Sequence, residues 1–140
     1  MAEEKSFENK VKKWLEFKGI YAAGKPEHEK TKPERGWFMK VWGGGMQKSG
    51  IPDLIICVNG FFISCELKSK TGRPSELQKK NTAAINHSNG IGIILYPDGF
   101  DQFQKIILGV LQCRCHIQEL NVLKDVHSDT KCDILTNFKS

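Results

Sequence analysis

The strongest structural signal in the sequence is the dipeptide Asn59-Gly60, which separates two β-prone runs at residues 54–58 and 61–67. Asn-Gly readily adopts the positive φ angles of a two-residue type I′ turn, so the pattern predicts an antiparallel β-hairpin. In such a hairpin the facing residues lie at equal distances from the turn. The register of the whole hairpin is therefore predicted by the position of this dipeptide.

The predicted register brings two acidic residues face to face. Asp53 and Glu66 are equally distant from the turn, so their Cβ atoms should lie roughly 4.5–5.5 Å apart across the ladder. Lys68, two residues beyond Glu66, should lie on the same face. Two carboxylates about 5 Å apart repel each other by about 3 kcal/mol at a dielectric near 20, and protonation or a cation relieves this. The pattern therefore predicts either a site for an ion such as Mg²⁺ or a salt-bridged cluster.

The rest of the chain predicts a single α/β domain. Ser6 is predicted to cap a first helix that ends at Gly19, and Ser75 with Gln78 has the pattern of a capping box. Further strands are predicted over residues 37–42 and 91–96, and further helices over residues 75–88 and 101–112. Both faces of the hairpin are largely apolar, which indicates a mixed central sheet of about four strands with helices on both faces. Residues 1–112 are predicted to form the core and residues 113–140 a C-terminal extension of the same domain.

Charge and composition limit the classes of function. The net charge of +5 is concentrated in the first two thirds of the chain, which is compatible with a polyanionic partner, although a solvated lysine-rich surface is the commoner explanation of such a charge. No run of 18 apolar residues predicts a membrane span, and the N-terminus lacks the apolar stretch of a secretion signal. An odd number of irregularly spaced cysteines, five in all, is typical of a reducing cytoplasm. We expect a cytoplasmic protein without a membrane partner.

The tryptophans, the cysteines and the C-terminal histidines have structural as well as functional explanations. Trp37 and Trp42 are candidates for stacking on bases, and alternating burial in a strand is the other explanation. Cys57 and Cys65 are predicted to be small core residues. The C-terminal cysteines and histidines match none of the usual paired zinc patterns, so no zinc site is predicted from Cys113, Cys115, His116, His127 and Cys132.

The segment Ser49-Gly50-Ile51-Pro52-Asp53, followed by Glu66-Leu67-Lys68, resembles the signature of the PD-(D/E)xK nuclease superfamily. Within that superfamily the chain is most similar to virus-type replication-repair nuclease domains and archaeal Holliday-junction resolvases. The likeness extends over residues 6–96 and includes an acidic residue in the first helix and a glutamine in the helix after the hairpin. The resemblance implies a restriction-endonuclease-like fold and a metal-dependent nuclease.

The resemblance also implies roles for individual residues. Asp53 and Glu66, with the Leu67 backbone carbonyl, would bind Mg²⁺, for which Mn²⁺ should substitute. Glu8 corresponds to the family's helical acid, acting on the metal directly or through water, and a surface ion pair with Lys12 is its other explanation. Lys68 would orient or activate the attacking water and stabilise charge on the phosphate. Gln78 corresponds to a glutamine near that lysine, a role that is compatible with capping.

Basic and polar residues on either side of the hairpin are candidates for contacts with DNA phosphates. These candidates are Lys48, Ser49, Lys70 and Arg73, with Lys40 as a weaker one. The predicted function is that of a Mg²⁺-dependent endodeoxyribonuclease that acts on branched or structured DNA in replication, recombination or repair. The expected setting is the cytoplasm of a bacterium or a phage-infected cell, and a homodimer is the assembly that the resemblance suggests. The alternatives are a catalytically silent nuclease-fold module that binds DNA or docks a partner, an RNA nuclease, and a restriction-type enzyme.

Overall fold

A mixed five-stranded sheet forms the centre of the fold. The computed structural model describes residues 2–42 and 50–113. The elements in chain order are α1 (Ala2–Phe17), β1 (Ile20–Ala22), β2 (Gly36–Lys40), β3 (Leu54–Val58), β4 (Phe61–Leu67), α2 (Glu76–His87), β5 (Ile91–Leu95) and α3 (Phe100–Gln112). The predicted α/β class and mixed sheet are confirmed.

The strands lie side by side in the order β1-β2-β3-β4-β5. The two outer pairs, β1 with β2 and β4 with β5, are parallel, whereas β2 with β3 and β3 with β4 are antiparallel. Five strands are present where about four were predicted. The additional one is β1, whose three residues are too few to produce a periodic pattern in the sequence.

The predicted hairpin register is confirmed. Val58 faces Phe61, and the pairing continues without a bulge to Leu54 and Cys65. Asn59 has a φ of 53° and Gly60 a φ of 81°, which are the positive values that a type I′ turn needs. The sequence signal and the backbone therefore agree at the turn that sets the register.

One face of the sheet forms the hydrophobic core with α1 and α3. In α1 the core residues recur at helical spacing, as Phe7, Val11 and Leu15, and all three are buried. The sheet contributes a set of fully buried side chains to the same core: Leu54, Ile56, Val58, Ile63, Cys65 and Leu67. α1 begins at Ala2, so the predicted cap at Ser6 is wrong.

The opposite face of the sheet is covered only in part, by α2. The backbones of α2 and β5 lie very close together, because a Cβ on Gly92 would be 2.6 Å from the Thr82 carbonyl oxygen. Away from α2 the face is open, and Cys57, Phe62 and Trp37 are exposed in one cross-strand row. The prediction that both cysteines of the hairpin are core residues is therefore confirmed for the buried Cys65 and wrong for Cys57. In the described ranges no helix has the length and apolar character needed to traverse a bilayer.

Candidate functional site

Asp53 lies at the point where the chain enters β3, and two backbone contacts fix its position. The Val41 N–H donates to the Asp53 carbonyl at 2.8 Å, so the β2–β3 ladder continues one residue beyond the strand. The Leu67 N–H donates to the Asp53 Oδ2 at 2.7 Å. The carboxylate of Asp53 is therefore held toward β4, on the side where the hairpin register predicts Glu66.

Glu66 is 5% exposed and has an unusual set of contacts for a buried acid. Its Oε1 accepts a hydrogen bond from Gln78 Nε2 and lies 3.4 Å from the Lys68 Nζ. Its Oε2 is the one buried side-chain oxygen or nitrogen in residues 2–42 and 50–113 that has no hydrogen-bond partner. An unpartnered buried carboxylate oxygen is costly, and a bound cation is one common explanation for it.

Burial and the neighbouring charge of Asp53 raise the pKa of Glu66 to about 7, although Lys68 acts in the opposite direction. Desolvation is the largest of the three effects that raise it, because a buried carboxylate loses its hydration; the charge of Asp53 and a hydrogen bond with the Asp53 side chain are the other two. The same surroundings raise the pKa of the Cys65 thiol, mainly through burial and further through Asp53 and Glu66. The raised pKa of Glu66 therefore has the direction expected for a buried carboxylate beside a second acid.

Gln78 connects the start of α2 to the acidic pair. The Ser75 N–H donates to the Gln78 Oε1 at 2.8 Å, and the Gln78 N–H donates to the Ser75 Oγ at 3.1 Å, so the predicted capping box is present. The amide Nε2 of the same side chain donates to Glu66. Gln78 therefore caps the helix and contacts the site at once, and its direct partner is Glu66 rather than Lys68.

Asn81, one turn further along α2, holds the loop that leads to Asp53. Its Nδ2 donates to the Gly50 carbonyl at 2.8 Å. Gly50 has a φ of +87°, and a Cβ there would lie 2.8 Å from Leu77 Cβ. Sequence reasoning did not identify Asn81, because no local pattern connects it with a loop some thirty residues earlier. α2 thus supports both acids, one by a direct contact and the other through its loop.

Glu8 forms ion pairs with two lysines and no hydrogen bond with Asp53 or Glu66 among the described residues. It is buried and bonds to Lys12 at 2.6 Å and to Lys40. Burial acts to raise the pKa of Glu8, but the hydrogen bonds and charges of the two lysines outweigh it and lower the pKa. Within the described part of the chain, no three histidine, cysteine, aspartate or glutamate side chains form a metal-binding group. The two lysines are therefore the partners of Glu8 in this structure, and its role at a metal, directly or through water, stays a prediction.

Only some of the residues predicted to contact phosphates lie in the described part of the chain. Lys70 and Arg73 are exposed in the loop between β4 and α2, directly after Lys68. The Lys70 N–H donates to the Glu3 carboxylate at 3.3 Å, which places the start of α1 beside this loop. Lys48 and Ser49 lie outside the described residues, as does the chain after Cys113 with its cysteines and histidines.

The two carboxylates fit a hard divalent cation. Mg²⁺ prefers oxygen ligands and is often held by one or two carboxylates while it keeps several waters. Asp53 and Glu66 supply such a pair, and the unpartnered Glu66 Oε2 is the oxygen that a cation would satisfy. The additional ligand role of the Leu67 carbonyl stays a prediction from the resemblance.

Comparisons with protein-family models, with curated proteins and with solved structures found no match to this chain. The resemblance to PD-(D/E)xK nucleases therefore depends on the motif residues and on their order in the sequence.

Proposed function

We propose that this protein is a divalent-metal-dependent nuclease that hydrolyses phosphodiester bonds in branched or structured DNA. The observation that carries the proposal is the buried pair of Asp53 and Glu66, in which Glu66 Oε2 has no hydrogen-bond partner. A site that served only the stability of the fold would gain from neutralising or separating these acids, because burial and their mutual repulsion raise the pKa of Glu66. Retention of both is explained if a cation binds between them.

Each residue of the site has a task in this proposal. Asp53 and Glu66 would hold the cation, whose chemistry is to lower the pKa of water and to polarise a phosphoryl oxygen. Lys68, with its Nζ 3.4 Å from Glu66 Oε1, places a positive charge where a phosphate oxygen would develop negative charge. Gln78 orients the Glu66 carboxylate through its amide.

The surroundings of the site support DNA as the substrate class. The loop after Lys68 carries the exposed side chains of Lys70 and Arg73, and the whole chain has a net charge of +5. Contacts from such side chains to phosphates hold a nucleic acid without reading its sequence. Selection by the shape of the DNA, rather than by a base sequence, is therefore the form of specificity that we propose.

A cleavage panel tests the proposal. The purified protein with Mg²⁺ or Mn²⁺ is offered flap, splayed, four-way and supercoiled DNA, beside RNA and a linear duplex. Glu66→Gln and Asp53→Asn should abolish cleavage, whereas Glu76→Gln should leave it unchanged, because Glu76 is an exposed acid whose ion pair is with Lys79, at 3.0 Å. Absence of metal-dependent cleavage on every substrate, or full activity of Glu66→Gln, would contradict the proposal.

A catalytically silent DNA-binding module is the second candidate. The observation that favours it is that Glu66 Oε1 already has two partners, Lys68 and Gln78, as in a salt-bridged structural cluster. A module of this kind should bind DNA equally well with Mg²⁺ and with EDTA. A metal-dependent affinity or a metal-dependent rise in the unfolding temperature would exclude it.

A further inference from the structure

A second surface of the molecule, on the α1 side of the sheet, has the chemistry of a nucleic-acid contact. A groove of about 470 Å³ lies between α1 and the end of β2, and we call it the α1–β2 groove. Its volume is within the range of about 300–1,000 Å³ that is typical of ligand pockets. The side chains that decide its chemistry are Asn9, Lys12, Lys13, Lys40 and Trp42.

The groove exists because two neighbouring strands have different lengths. β1 ends at Ala22, where it pairs with Phe38, whereas β2 continues to Lys40. Beyond Ala23, whose N–H donates to the Phe38 carbonyl at 2.7 Å, no strand among residues 2–42 and 50–113 pairs with β2 on that side. The space that a longer β1 would fill is left open beside α1.

The groove carries more positive than negative charge. Glu8 is shared by Lys12 and Lys40, so one carboxylate neutralises only one of two ammonium groups. Glu16, the acid that lines the groove, pairs with Lys25 at 3.3 Å. Lys13 is exposed and adds a further positive charge. A polyanion is the partner that this charge balance favours.

Trp42 gives the groove an aromatic platform. It is 79% exposed, more than any other large hydrophobic side chain in the described residues, and Lys40 Nζ lies 5.4 Å from its ring centroid. The alternating burial that would explain a tryptophan in a strand does not apply to it. A solvent-exposed ring beside lysines is the arrangement on which proteins stack the bases of single-stranded nucleic acids.

We propose that the α1–β2 groove binds a single-stranded segment of DNA, with one base stacked on Trp42 and backbone phosphates on Lys12 and Lys13. A single strand is favoured over a duplex, because only an unpaired base offers its face to an isolated ring. The place of the groove supports this assignment. Trp42 follows Val41, whose N–H donates to the Asp53 carbonyl, so the groove lies at the end of the sheet where the chain enters β3 at Asp53.

The assignment rests on the proposed function for its biological meaning, since the single strand would be an arm of the branched substrate. The binding itself requires neither metal nor cleavage. The test is therefore carried out in EDTA with the full-length protein and a fluorescein-labelled thymidine oligonucleotide of about 15 residues, a length that suits single-strand binding sites.

Anisotropy of the labelled oligonucleotide measures the affinity. Trp42→Ala should weaken binding by about 5- to 150-fold, which is the effect of removing one stacked base, and Trp42→Phe should restore most of it. Lys13→Gln should lower the slope of log affinity against log salt by about 0.7, as expected for one phosphate contact on a single strand. Trp37→Ala is the matched control, because Trp37 is 39% exposed and lies on the other face of the sheet.

Intrinsic fluorescence gives an independent readout, because the chain has three tryptophans. An unlabelled oligonucleotide should quench the wild type and Trp37→Phe, whereas Trp42→Phe should lose most of the quenching while it still binds. The proposal is overturned if the wild type does not bind the oligonucleotide, if Trp42→Ala binds as well as the wild type, or if a duplex of equal length competes equally. A protein that binds in this way but cuts no DNA would contradict the proposed function and leave the groove assignment standing.

Discussion

Replacement of Glu66 by glutamine should make the metal-free protein more stable at neutral and alkaline pH. Glutamine has nearly the shape of glutamate, so its carbonyl can still accept from Gln78, while its amide can donate to the Asp53 carboxylate that contacts Glu66. The substitution removes the charge whose burial and repulsion raise the pKa of Glu66 from 4.5 to about 7. The change therefore isolates the electrostatic cost of the carboxylate from its packing.

The sign follows from proton binding. A carboxyl group with a raised pKa holds its proton more tightly in the folded state than in the unfolded state, so the free energy of unfolding falls as the pH rises through the interval between the two pKa values. For Glu66 this interval runs from 4.5 to about 7. At about 1.4 kcal/mol per pKa unit, the wild type should lose at most about 3 kcal/mol that Glu66→Gln keeps.

Urea unfolding in EDTA at several values between pH 4 and pH 8 measures this difference. The two proteins should be similarly stable at pH 4, and Glu66→Gln should become the more stable one as the pH approaches 8. Excess Mg²⁺ at pH 8 should stabilise the wild type and leave Glu66→Gln unchanged, because a cation relieves the repulsion only where both carboxylates are present. Parallel pH curves for the two proteins would refute the reasoning, since they would mean that Glu66 has an ordinary pKa in the folded state.

Three further perturbations test other parts of the site. Gln78→Leu should destabilise the protein by about 1–3 kcal/mol and by more at pH 8 than at pH 5, because the charged form of Glu66 loses its donor; urea unfolding at both pH values checks this. Gly50→Ala should lower the free energy of unfolding by about 1–3 kcal/mol in the same assay, because the φ of +87° and the contact with Leu77 disfavour a Cβ. Gly109→Ala is the matched control: a Cβ there meets nothing within 4 Å, so the substitution should raise the free energy of unfolding by about 0.5–1 kcal/mol. Mg²⁺ at about one hundred times its dissociation constant should stabilise the wild type by about 2.7 kcal/mol and should not stabilise Asp53→Asn, as differential scanning calorimetry can measure.

The hairpin could be predicted from the sequence because its register depends on a single local feature. A turn of two residues permits only one register between the two strands, and that register determines which side chains share a face of the sheet. The position of Asp53 opposite β4 and the burial of the apolar face follow from it. β1 could not be predicted in the same way. Its three residues form a strand because Gly36 to Phe38 of β2 lie alongside them, and a pairing between segments distant in sequence leaves no local pattern.

The contacts that α2 makes with the site could not be predicted from local sequence patterns, because they depend on how the helix packs on the sheet. The capping box explains why the helix begins where it does, but the same glutamine reaches Glu66 only because α2 crosses close over β5. The Gly92 position has no room for a Cβ against the Thr82 carbonyl, so this close approach depends on a residue that belongs to neither the motif nor the helix. Since Asn81 lies one turn after Gln78 on the same helix, the approach that brings Gln78 to Glu66 also brings Asn81 to the Gly50 carbonyl. A side chain on Gly92 should therefore disturb both acids together, although it touches neither of them.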